Sequence, residues 1–106
     1  MEIGLSARVG VGSVLRVEGP VTLEEASRWR HSLLAGLAET TELRLDLATS
    51  GPWDVAGLQL ILSALATATK TGKSLTLDRV PGGFLSVAAS AGASELLAGS
   101  IVGRDE

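Results

Sequence analysis

Four stretches of this 106-residue chain carry residue types that could do chemistry. Thr71-Gly72-Lys73-Ser74 has the ending of a phosphate-binding loop, in which glycine amides and a lysine cradle phosphates ahead of a helix. The glycine such a loop needs five residues before its Gly-Lys pair is Thr67 here. The pattern also runs from helix into strand, so no helix N-terminus faces a phosphate. Gly10-Val11-Gly12 precedes a strand pattern and reads as a hairpin turn. His31 lies roughly 120° from the centre of its helix's apolar stripe at ~100° per residue, with no Ser or Asp placed to complete a triad. Asp46 and Asp54 could work as paired carboxylates. Against that, Asp46 falls on the polar face of a strand, where cross-strand pairing is common, and Asp54 immediately precedes a helix, where Asp is a good N-cap. No catalytic residue, metal ligand or cofactor site is assigned.

Composition points the same way. There is no cysteine and one histidine, which excludes disulfides, thiolate sites and multi-histidine metal centres. A net charge of −3 with 3% aromatic residues excludes a nucleic-acid platform, which needs basic stripes and stacking rings. Seven Arg and two Lys are scattered along the chain and form no lipid-surface cluster. No segment approaches the ~20 apolar residues of a membrane span, so no membrane insertion is expected. Met1-Glu2-Ile3-Gly4 lacks the pattern of a signal peptide, which leaves a cytoplasmic location as the expectation. An aliphatic domain so poor in reactive groups reads as a recognition module rather than an enzyme.

The elements that must position these residues follow from periodicity. Ile3, Leu5, Ala7 and Val9 alternate with polar residues or glycine, and Leu15 and Val17 alternate with Arg16 and Glu18; two strands in a hairpin are predicted, ended by Gly19-Pro20. Thr22-Leu23-Glu24-Glu25 has capping-box form, with Thr22 as N-cap of a helix running to about Ala38. Its apolar face is Ala26, Trp29, Leu33 and Leu37, with Leu23 and Leu34 at the edge. Arg30 falls inside that stripe, either as a snorkelling stem or as half of a buried pair. Glu42-Leu43-Arg44-Leu45-Asp46-Leu47 alternates cleanly, and Ser74-Leu75-Thr76-Leu77-Asp78 repeats the pattern. Strands buried on both faces would read as continuous apolar runs, so helices should cover one face only. Between them a helix from about Val55 to Thr71 stops at Gly72, with Leu58, Ile61, Leu62, Leu65 and Ala68 or Thr69 as its core stripe. A helix through Phe84, Val87, Ala88 and Ala91, a turn at Ser94-Glu95-Leu96-Leu97 and a frayed tail from Gly99 to Glu106 complete the chain. The expected fold is one α/β domain (core residues about 3–98) with a mixed sheet of about four strands, order β-β-α-β-α-β-α-α.

The stretch from Leu45 to Leu58 (Leu45-Asp46-Leu47-Ala48-Thr49-Ser50-Gly51-Pro52-Trp53-Asp54-Val55-Ala56-Gly57-Leu58) resembles the central segment of STAS domains, found in anti-sigma-factor antagonists and in the cytoplasmic tails of sulfate transporters. That family shows a strand ending in Asp-Leu-Ser-Gly, a short loop, and Asp-Ser-Ser-Gly-Leu opening a long helix. Asp46 and Asp54 keep the eight-residue separation, Gly57 and Leu58 keep their places, and Gly19 resembles the family's glycine after its second strand. The resemblance implies a STAS-like fold over residues 3–98, with the usual long final helix cut to a turn. It also implies a phosphorylated Ser or Thr just after the capping aspartate, which adds nearly two negative charges at a helix start. That position is Val55 here and the next is Ala56, so the switch has no hydroxyl to act on. Thr49, Ser50 and Ser63 are nearby hydroxyls outside that position. Trp53, in a Gly-Pro-Trp loop where the family has strand-like apolar residues, is either a core plug or an interface anchor.

Opposite its core stripe, the Val55–Thr71 helix presents Ala56, Gln59, Leu60, Ser63, Ala66, Thr67 and Lys70. Small residues allow close approach, and burying Leu60 in an interface is worth ~1.5–3 kcal/mol. In the family this helix start and face are where partner proteins dock. The expected partner-binding set is therefore Trp53, Asp54, Val55, Ala56, Gln59, Leu60, Ser63 and Thr67. Three functions are weighed: an anti-sigma-antagonist-like binder of an anti-sigma factor or kinase-like regulator, a small STAS subunit of a lipid-exporting ABC transporter, and a small-ligand module. Transporter subunits of that kind often retain a threonine where Val55 stands. The open sheet face leaves room for a homodimer.

Overall fold

The computed structural model describes residues 5–9 and 12–104, with side chains from Ser13 onward. The hairpin turn at Gly10-Val11, the first residues including Ile3, and the last two residues lie outside the described residues. In chain order the elements are β1 (Leu5–Val9), β2 (Gly12–Arg16), β3 (Gly19–Val21), α1 (Ala26–Ala38), β4 (Glu42–Asp46), β5 (Ser50–Trp53), α2 (Val55–Lys70), β6 (Ser74–Asp78), α3 (Gly82–Ser90) and α4 (Ser94–Leu97).

Four strands form a sheet in the order β1-β2-β4-β6, and β3 pairs with β5 in a second, two-stranded sheet. β1 is antiparallel to β2, whereas β2, β4 and β6 are mutually parallel, which gives the mixed α/β fold. The period-two pattern places Leu15, Leu43, Leu45, Leu75 and Leu77 on one face, each at most 5% exposed. The helices cover that face. On the other face the register aligns Arg16, Asp46 and Asp78 in one row and Val14, Arg44 and Thr76 in the next.

Both tryptophans are core residues with satisfied N–H groups. Trp29 Nε1 donates to the Pro20 carbonyl at 3.0 Å and ties α1 to β3. Trp53 Nε1 donates to Ser50 Oγ at 2.9 Å, and its ring meets Phe84 edge-on with centroids 4.8 Å apart. Gly72, at φ +73°, ends α2 in the left-handed conformation that glycine adopts without a Cβ penalty.

Four expectations need correction. The segments read as turns around Gly19-Pro20 and Gly51-Pro52 are the paired strands β3 and β5, which short non-alternating runs with proline do not announce. α1 starts at Ala26, one turn after the expected N-cap. Half of the capping box is present, since the Glu25 carboxylate accepts from the Thr22 N–H at 3.0 Å, but the Thr22 hydroxyl donates to that same carboxylate instead of capping the helix. Arg30, by contrast, follows the first of its two readings: it is exposed at the rim of the crevice between α1 and α2. The stripe of α2 is rotated: Gly57, Leu58, Leu60, Ile61, Ala64 and Ala68 are buried, while Leu62 and Leu65 are half-buried and Thr69 is exposed. Finally, residues 100–104 are not frayed, because they lie parallel along the outer edge of β6. Leu77 N–H donates to the Ser100 carbonyl and Val102 N–H to the Leu77 carbonyl, both at 2.8 Å, and Val80 N–H reaches Gly103 at 3.1 Å.

Candidate functional site

β5 delivers the chain to Asp54, whose extended backbone precedes the first turn of α2. One carboxylate oxygen accepts the Gly57 N–H at 3.0 Å and satisfies a donor that the helix leaves unpaired. The other accepts the Leu23 N–H at 3.0 Å. One side chain therefore caps α2 and fastens it to the β3–α1 loop, 31 residues away in sequence. Gly57 makes the close approach possible, since a Cβ there would sit 2.2 Å from the Val21 carbonyl oxygen and 2.9 Å from the Trp53 ring. The Glu25 carboxyl lies below its ordinary range, first because of the Thr22 hydroxyl hydrogen bond and then because of the Thr22 amide.

This bridge brings two exposed apolar residues to the same corner. Val55 follows Asp54 and is 56% exposed; Leu23, whose amide Asp54 holds, is 73% exposed. Gln59 and Ser63 continue the exposed line one and two turns along α2, Ala66 is exposed, and Ala56 and Thr67 are half-buried. Trp53 and Leu60 leave the expected docking set, because both are buried, at 8% and 7% exposure. Leu60 faces α1 across a crevice of about 30 Å³ lined with Arg30, Leu33, Leu34, Ser63, Ala64 and Thr67. That volume falls far below the ~300–1,000 Å³ of small-molecule sites. Leu23, Leu34 and Arg30 are exposed instead. The signal for Leu23 was present in its edge position on the α1 stripe, but its nearness to Asp54 exists only in the folded chain.

Asp46 and Asp54 serve different partners and form no acid–base pair. Asp46 Oδ1 accepts from Ala48 N–H at 3.1 Å and from Arg79 Nε at 3.2 Å, and Oδ2 from Arg79 Nη2 at 3.0 Å. The Arg79 hydrogen bonds lead in holding the Asp46 carboxyl below the usual carboxylate range. Ser50 is committed to the fold, donating to the Leu47 carbonyl at 2.7 Å while accepting from Trp53. Thr49 and Ser63 are exposed. His31 is exposed on α1. Lys73, from the loop-like Thr71–Ser74 stretch, donates its ammonium to the Leu37 carbonyl, and the stretch joins the end of α2 to β6, as a helix-to-strand turn. Among the described residues no group of three or more His, Cys, Asp or Glu could hold a metal ion, and no helix is long and apolar enough to cross a membrane.

A STAS fold is defined by this combination of a mixed sheet, helices on one face, and an Asp-capped helix behind a strand. The family model described as "Mlab, STAS domain" matches residues 6–99, and the chain belongs to that STAS family. No curated protein matches it in sequence. Among solved structures, the phosphorylated form of the Bacillus cell fate determinant SpoIIAA superposes with a TM-score of 0.71 at 13% identity, covering 99% of this chain and 93% of that one. The anti-sigma factor antagonist SpoIIAA in its unphosphorylated form gives 0.59 at 14% identity, covering 73% and 72%. A sulfate transporter family protein from Wolinella succinogenes gives 0.71 at 18% identity, covering 90% and 77%. At these identities the likeness is one of fold.

Proposed function

We propose that this chain is a non-enzymatic, cytoplasmic protein-binding module that docks a partner through the start of α2 and the face it shares with α1. The supporting observation is the Asp54 bridge, which fixes exposed Leu23 and Val55 at one corner of the molecule. The docking set becomes Leu23, Val55, Ala56, Gln59, Ser63 and Thr67, with Asp54 as its organiser and with Trp53 and Leu60 holding the surface from below. The role resembles that of an anti-sigma-factor antagonist, the description carried by a solved protein of this fold. Val55 stands at the position the family phosphorylates, so control by phosphate would act on the partner rather than on this residue. A second reading, a stably assembled STAS subunit of an ABC-type lipid transporter, is favoured by the family description "Mlab, STAS domain".

A photo-reactive residue placed at Val55 of the full chain tests the docking face in native lysate. The expected product is a specific cross-link to an ATP-binding regulator under the first reading, or to a transporter subunit under the second. Cross-links from Thr76 on the open sheet face, with none from position 55, would overturn the proposed surface. Intact-mass analysis with the captured partner adds a second check, since stoichiometric phosphate on Thr49 or Ser50 would show that the switch has moved rather than vanished.

A further inference from the structure

The outer edge of β6 is covered along only part of its length. Successive residues of a strand turn their backbone N–H and C=O to opposite edges. In β6 the Ser74 N–H points inward to the Thr41 carbonyl, and the Asp78 carbonyl takes the Leu47 N–H. Leu77 faces outward, and residues 100–104 meet it as a strap, with bonds to Ser100 and Val102 at 2.8 Å. Leu75, two residues earlier, points its N–H and C=O the same way, but the strap begins too late to reach them. Among the described residues no hydrogen-bond partner stands on that side of Leu75. Its backbone groups lie in the floor of a groove of about 550 Å³ between α2 and α4. The Leu75 side chain belongs to the core, so its backbone is what faces the groove. The walls are Leu62 and Leu65, half-buried on α2, and Leu96 on α4, which is 71% exposed. Folded proteins commonly guard such an edge with lysine, proline or a bulge. This lining has no proline, β4 and β6 pair in unbroken register, and the one charged residue, Lys73, directs its ammonium to the Leu37 carbonyl.

From this we infer that the N-terminal half of the β6 edge receives an extended segment of a partner protein, paired through the Leu75 N–H and C=O. A strand added there makes the two hydrogen bonds that the edge leaves open, in the mode of β-augmentation. Its residue level with Leu75 points to the helical side of the sheet, as Leu75 does, and enters between Leu62, Leu65 and Leu96. That residue is apolar. Its two neighbours point to the open face beside Ser74 and Thr76 and are polar, which defines a polar–apolar–polar segment. The backbone of a helix has already used its donors and acceptors internally, and an apolar small molecule has none to offer. On α2, Leu62, Leu65 and Thr69 lie on a different flank from Gln59, Ser63 and Thr67 at ~100° per residue. This second contact is therefore independent of the docking face.

The test titrates the isotope-labelled full chain with the blocked pentapeptide Thr-Thr-Leu-Thr-Thr and follows individual amides by NMR. At millimolar peptide the Leu75 amide should exchange at least about threefold more slowly, because protection follows the fraction of time it is paired. The Leu77 amide should keep the rate that its Ser100 bond sets. Replacing the central leucine of the peptide by aspartate should abolish the effect. N-methylation should abolish it at one backbone position and spare the adjacent ones, since only one edge of the peptide faces β6. Leu96→Asp should weaken binding at least about threefold by removing an apolar wall, and Leu96→Met should preserve it. Leu96 is exposed, so circular dichroism melts of both variants should match the parent. A Leu75 amide that does not respond, or binding that survives N-methylation at every position, overturns the inference. Slowing of Leu75 with chain concentration in the absence of peptide would put a second copy on the edge in place of a partner. Loss of Leu77 protection on titration would mean that the peptide displaces the strap, which also overturns the stated pairing. Cross-linking from Val55 is read separately, so the docking face stands or falls by its own result.

Discussion

On the open face of the sheet, Arg16, Arg44 and Arg79 pair with Glu18, Asp46 and Asp78 at 3.0–4.0 Å, and the row of charges closes on itself. Across the molecule, Leu23 and Val55 are exposed apolar residues at one corner, where the Asp54 carboxylate is spent on the Leu23 and Gly57 amides. Cations satisfied within the chain leave little net field to attract anything else, and exposed pairs of that kind add only ~0.2–1 kcal/mol each. Exposed apolar side chains, by contrast, keep their desolvation energy for whatever buries them. The two regions differ in kind: the charges of the open sheet face are paired within the chain, whereas the corner at the start of α2 exposes apolar surface.

The joint beneath the helical face offers the strongest way to break this contrast. Gly57→Ala drives a Cβ into the Val21 carbonyl and the Trp53 ring. A net loss of about 2–4 kcal/mol is expected after the ~1 kcal/mol helix-propensity gain, and chemical denaturation measures it. Little change would mean that α2 does not lie so close to β3. The next test separates support from contact on one helix. Leu60→Ala should cost about 2–4 kcal/mol as a buried truncation, whereas Val55→Asp should change stability by less than ~0.5 kcal/mol yet reduce partner capture at least about tenfold. Capture lost with stability unchanged in Leu60→Ala would put Leu60 back on the surface.

The smallest effect belongs to the sheet face and is read from pH. The Asp46 carboxyl is held below its ordinary value, chiefly by Arg79, so the bridge stabilises the fold fully above the unfolded-state value, near 3.8, and fades as pH falls through the folded-state value. Arg79→Ala should therefore lower stability by ~0.2–1 kcal/mol near neutral pH, with the gap to the parent closing as the pH is taken below about 3.8 in urea titrations. A gap that persists in acid would assign the effect to packing of the Arg79 stem. Partner capture should be unaffected at any pH where the chain remains folded.

Much of this contrast was legible in the residues themselves. The alternation in β4 and β6 identified both the buried leucines and the charged outer face, because a strand turns successive side chains to opposite sides whatever surrounds it. Asp54 as a cap, Gly72 as a stop and the spacing of Asp46 to Asp54 were equally local, and they carried the family. α2 was harder to read. Apolar residues surround most of it, and a helix packed against both a sheet and a neighbouring helix buries two faces, of which periodicity identifies only one. The expected set consequently included Leu60, which is buried, and gave no sign that Asp54 brings Leu23 alongside Val55.

The sequence by itself determined the fold class and the absence of a hydroxyl at position 55, since each depends on residue type and near-neighbour spacing. Tertiary structure alone decided that Trp53 and Leu60 are core, that β3 and β5 pair, that residues 100–104 lie along β6, and that Leu23 and Val55 share a corner. Each of those facts is a contact between segments distant in the chain. Such contacts are selected by the packing of the whole domain, which no window of local sequence contains.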